Sequence, residues 1–152
     1  MPNFIDIGNR KLEEIERPKN PPVGNYLWFV SKVPESSTLP GDEWDVVDFI
    51  CRAKAPVDVD SDALSDWGGD ITKVSIRHRF MFDKKDPVRF EQTLFRLKTF
   101  LNDHLKVSAD LGMSEALNAS VNAQFIGEIT WQKDKREEGL YHTNMGKTAP
   151  VE

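Results

Sequence analysis

The sequence predicts a mainly-β domain: a five-stranded Greek-key barrel with one helix between the third and fourth strands. Three observations carry this. Short segments rich in aromatic and β-branched residues alternate in polarity between Gly, Pro, Asp and Ser punctuation. One segment shows a strong helical stripe: Phe90, Leu94, Leu97, Leu101 and Leu105 fall at spacings of three and four. The 152 residues, 39% hydrophobic and 30% charged, suit one domain that buries its own core.

The elements follow in order. Residues 1–21 read as an N-terminal extension, with a helical candidate at Arg10–Ile15 and a Pro-rich end, Arg17-Pro18-Lys19-Asn20-Pro21-Pro22. Residues 22–152 form the domain. Gly24–Val33 reads as the first strand and Pro34–Gly41 as a loop. Glu43–Arg52 is the second strand, with apolar groups on both faces, and Ala53–Gly69 a long acidic loop.

Asp70–Phe82 is the clearest strand. Thr72, Val74, Ile76, His78, Phe80 and Phe82 alternate with Ile71, Lys73, Ser75, Arg77, Arg79 and Met81. The first set faces a core; the second is largely cationic. Asp86 then offers an N-cap and Pro87 a first helical position whose missing N–H costs nothing. Met113–Ala119 adds a helical turn or two. Ala123–Gln132 is the fourth strand, with Phe125, Ile129 and Trp131 on one face. Lys133–Glu138 is a charged hairpin tip, and Leu140–Lys147 the fifth strand. This order is that of an OB-fold, whose helix plugs one end of the barrel. An open α+β sandwich is the competing architecture.

Charge and chemistry narrow the function. The net charge of −5 argues against strong non-specific duplex binding. It is unevenly spread: Glu35–Gly69 holds nine acids to two bases, whereas Asp70–Lys106 holds nine bases to five acids. Cys51 is the single cysteine, which points to a reducing, cytoplasmic setting. Met1–Arg10 lacks the pattern of a secretory signal, and no stretch is apolar enough to span a membrane. There is no phosphate-binding loop, nucleotide fingerprint, serine elbow or paired-histidine metal motif. Neither a catalytic residue nor a cofactor is expected, and a metal is not expected either. Asp58–Asp62 begins like a calcium loop, but the sixth and twelfth positions are Ala63 and Gly69.

Against this background the chain resembles phage-encoded OB-fold proteins that bind single-stranded DNA. The resemblance rests on Pro22–Tyr26, Trp44–Phe49, the basic third strand running into Leu94-Phe95-Arg96-Leu97-Lys98-Thr99-Phe100-Leu101, and Asn122–Ile129. It implies sequence-independent strand coating in DNA replication or recombination, in the host cytoplasm. The implied partners are single-stranded DNA, further copies of the chain, and replication or recombination proteins. The chain stops soon after its last strand, without the acidic tail of bacterial single-strand binders.

The candidate nucleic-acid-binding residues follow from this chemistry. Lys73, Arg77 and Arg79 form a row at period two, suited to a phosphate backbone. Phe29 and Trp44 face outward as base platforms if the larger aromatic sets face inward; reversed, Trp28 or Phe49 takes that role. Trp67, beside Gly68 and Gly69, is either a stacking group or a lid on the core. Lys133, Lys135 and Arg136, flanked by Trp131 and Tyr141, mark the hairpin tip as a grip. The acidic segment Asp58–Asp66 is read first as a solvated loop, and alternatively as a cover that mimics nucleic acid over the basic face. The competing function is a protein–protein module without nucleic-acid binding, which the excess of acids favours.

Overall fold

The computed structural model describes residues 11–12 and 19–151. The helix expected at Arg10–Ile15 lies outside them, apart from Lys11 and Leu12.

The described residues form one antiparallel sheet of six strands with three α-helices. β1 (Gly24–Val30) buries Tyr26, Trp28 and Val30 completely, so the larger aromatics do face inward. The ladder then stops. Ser31 still bonds Ile50, but Pro34 has no N–H to donate, and pairing resumes only at β2 (Glu35–Thr38). The predicted loop at Pro34–Gly41 therefore contains a strand. β1 and β2 run one after the other along the same side of β3, which makes six strands where five were expected.

β3 (Trp44–Asp58) is 15 residues long, six beyond its predicted end at Arg52. Its first part pairs with β2 and β4, and its last part with β1. The predicted acidic loop is thus mostly regular structure: the tail of β3, then α1 (Ser61–Trp67). Asp60 caps α1 by accepting from the Asp62 N–H at 2.9 Å, and Gly68 ends it in the left-handed conformation.

β4 (Ser75–Asp83) starts later than predicted. Asp70 accepts from both the Thr72 N–H (3.0 Å) and hydroxyl (2.6 Å), and this winds Ile71–Lys73 into a 3₁₀ turn. From Ser75 onward the alternation holds: Ile76, Phe80 and Phe82 are buried, and Arg77, Arg79 and Met81 are outside. α2 (Pro87–Thr99) begins as expected, with the Asp86 carboxylate accepting from Val88 and Arg89 N–H groups. It widens into a π turn at Phe100–His104, where Leu105 N–H reaches the Phe100 carbonyl at 2.9 Å. That turn sets Phe100 at the centre of the core. Its ring lies 5.0 Å from Phe49, 5.6 Å from Phe80 and 5.2 Å from Phe125.

α3 (Met113–Ala119) buries Ala116. β5 (Gln124–Lys133) buries Phe125 and Ile129, and β6 (Tyr141–Ala149) pairs with it alone. Along the sheet the order is β4, β3, then β1 and β2, β5 and β6. β4 and β6 come side by side without a ladder between them, so the barrel-like sheet stays open at that seam. Among the described residues, no helix is long and apolar enough to cross a membrane.

Candidate nucleic-acid interface

The outer face of β3 and β4 carries the predicted cations, in altered form. Lys73 sits on the 3₁₀ turn and has left the row. Arg79 lies directly across from Asp48, and the carboxylate accepts from its Nε at 2.7 Å and its Nη2 at 3.1 Å. These bonds hold the Arg79 pKa above its ordinary value. Arg77 approaches the same carboxylate at 3.9 Å and keeps more of its side chain in solvent. Asp48 is only 5% exposed and was missed in the sequence, where it is one acid among nine.

Asp48 also bears on the two readings of the acidic segment. Among the described residues, the ion pairs of Arg77 and Arg79 are made with Asp48, not with Asp58–Asp66. Within that segment Asp60 works locally, at the cap of α1.

Two further cations join the face because β3 continues. Cys51, Ala53 and Ala55 alternate with Arg52 and Lys54, so the basic residues project outward. Arg52 pairs with Phe29 of β1 on one side and Ser75 of β4 on the other. The Lys54 ammonium lies 5.9 Å from the centre of the Phe29 ring. Phe29 is half-buried and outward, as expected. The signal for Arg52 and Lys54 was present in the sequence as a period-two run, obscured by the acids that follow it. Trp44 is also outward and half-buried, but it stands at the far end of the strand, opposite Asp83 and near α2.

The structure brings the other aromatics together at the open seam. Trp67, at the end of α1, lines two adjoining clefts of about 520 and 480 Å³. The first continues to Trp131 and Tyr141, whose rings are 6.1 Å apart and about half exposed. The second runs between β4 and β6 to Arg77. Residues 67, 131 and 77, far apart in sequence, thus mark one path. Trp67 is held flat against Gly69: a Cβ there would meet the indole at 2.5 Å.

A strap crosses this path. The Trp67 indole N–H donates to the Lys19 carbonyl at 3.1 Å, and that of Trp131 to the Pro21 carbonyl at 2.7 Å. The Asn20 amide donates to the Tyr141 carbonyl at 2.8 Å, and the Tyr26 hydroxyl to the Pro22 carbonyl at 2.7 Å. The indole edges are satisfied by this backbone.

The hairpin tip is organised by Asp134. It accepts from Arg136 N–H (2.7 Å) and Glu137 N–H (2.8 Å) and contacts His142 Nε2 at 2.7 Å. The His142 contact, followed by these backbone bonds, lowers the Asp134 pKa to about 2. Lys133 ends β5, and Lys135 and Arg136 are exposed on the bend, clear of the seam clefts.

The remaining reactive groups are inside. Burial pushes the Cys51 thiol up to about 12, which suppresses its thiolate. His78 is packed between Phe80 and Phe100, each ring centre at 4.9 Å. Burial, then the charges of His104 and Arg96, lower it to about 4. No known protein-family model matches the chain, and no curated protein sequence matches it.

Proposed function

We propose that the protein binds single-stranded DNA without sequence preference, on a barrel of OB-fold type. One observation carries this reading. Trp131, Tyr141 and Trp67 line one cleft and Trp67 and Arg77 the adjoining one, and Arg77 shares the outer sheet face with Arg52, Lys54 and Phe29. A strand of nucleic acid needs this combination: rings for its bases and cations for its phosphates. The OB topology supports it too, since β1 and β2 act as one interrupted strand and α2 lies between β4 and β5. No chemistry is assigned to the site, and replication or recombination is the setting such binding serves.

The test is intrinsic tryptophan fluorescence during titration with an oligo-dT strand. Saturable quenching is expected, weakening as salt rises. With about three phosphates neutralised, the log–log salt slope is about −2. Arg77→Glu should abolish the quenching while leaving the fold intact. Absence of quenching at low salt overturns the reading.

A further inference from the structure

Away from the seam clefts, with which it shares no lining residue, α2 turns two apolar side chains into solvent: Val88 and Phe95, each 66% exposed. Phe95 stands on the rim of a groove of about 490 Å³ between α2 and the segment leading into α3. Leu94, Leu101, Val107, Leu111 and Met113 line that groove. Glu91 and Lys98 line it too, one turn before and one turn after Phe95. Both are exposed, and neither makes an ion pair within the described residues.

We infer that this face is a self-association surface, on which a second copy of the chain docks with its α2 antiparallel to the first. The charges select the partner and its direction. At 1.5 Å of rise per residue, Glu91 lies about 6 Å before Phe95 and Lys98 about 4.5 Å after it. A two-fold axis beside Phe95 therefore sets each Glu91 within roughly 1.5 Å of the axial level of the other copy's Lys98. A parallel arrangement sets like charges against each other. A patch that complements itself in this way fits a second copy without any further feature. Each Phe95 ring then enters the other copy's groove, an aromatic anchor inside a charged rim. The surface is separate from the seam path, and the inference does not rest on DNA binding.

The experiment is light scattering coupled to size-exclusion chromatography on the full chain, across micromolar to millimolar loading. The expected mass is twice 17.4 kDa, and 17.4 kDa for Phe95→Asp. Phe95 is outside the core, so circular dichroism of that variant should match the parent. Glu91→Lys and Lys98→Glu, singly, should each weaken the dimer on the order of tenfold, and together restore it. A parent chain of 17.4 kDa at every loading overturns the inference. So does a dimer indifferent to Phe95→Asp. Failure of the double reversal to restore association removes the antiparallel arrangement.

Discussion

Asp48 and Arg79 face each other across β3 and β4, and the nearly buried carboxylate engages two nitrogens of one guanidinium, at 2.7 and 3.1 Å. The pair sits in the row of cations that the sequence offers to a phosphate backbone. Replacing Asp48 with Asn keeps the shape and removes the charge. We expect a stability loss of roughly 1–3 kcal/mol by denaturant unfolding, because a partly buried pair is broken. Oligo-dT binding should nevertheless tighten at low salt, with a salt slope steeper by about 0.7, because the freed guanidinium neutralises one more phosphate. Weaker binding with an unchanged slope means that Asp48 acts only by holding Arg79 in place.

Trp131→Ala should cost roughly 1–3 kcal/mol of oligo-dT affinity if a base stacks on that ring. The ring is 45% exposed, so the domain should remain folded. Trp131→Phe keeps a platform but loses the bond to the Pro21 carbonyl. It should retain most of the affinity. An equal loss in both variants, measured by fluorescence anisotropy, points to the strap and not to stacking.

Acid should weaken the fold through His78. In the unfolded chain this imidazole takes up a proton as pH falls through 6.5, whereas in the folded one it stays neutral to about 4. Its contribution is therefore complete above 6.5 and declines as pH drops toward 4, by about 3 kcal/mol at most. His78→Leu should show a smaller fall in stability between pH 7 and pH 4.5 than the parent. Equal falls in the two proteins assign the acid sensitivity elsewhere.

Gly127→Ala should destabilise the domain by on the order of 1–3 kcal/mol. A Cβ there would lie 2.9 Å and 3.0 Å from two atoms of the Trp28 indole, and 3.2 Å from the Met145 sulfur. Trp28 is rigid and wholly buried, and its N–H is bound to the Gly127 carbonyl, so it has no room to yield. Thermal melting measures the effect; an unchanged midpoint contradicts this packing.

The parts of the fold set by local rules were legible. Asp86 and Pro87 start α2 where the capping rules place it, and the alternation from Ile76 to Phe82 assigns both faces of β4. The misses come from competition between local and long-range bonding. Pro34 breaks a strand whose pairing continues beyond it. Asp70 bonds its own Thr72 and turns a predicted strand start into a helical turn. Arg52 and Lys54 show as a period-two run that the following acids obscure, and what carries β3 on to Asp58 is its pairing with β1, some thirty residues away. Asp48 could not be singled out, since its importance lies in burial and in Arg79. The meeting of Trp67, Trp131 and Arg77 depends on chain tracing that no period reveals.

The length of β3 has a dynamic consequence. At Cys51 and Arg52 this strand is paired on both sides at once, to β1 and to β4. Each amide N–H there donates to one neighbour while the other strand holds β3 in place, so their exchange should report global unfolding. β6 is held by a single neighbour and should open at lower free energy. Tyr141 belongs to that strand. One wall of the seam path is therefore tied to a strand that should open before the centre of β3 does.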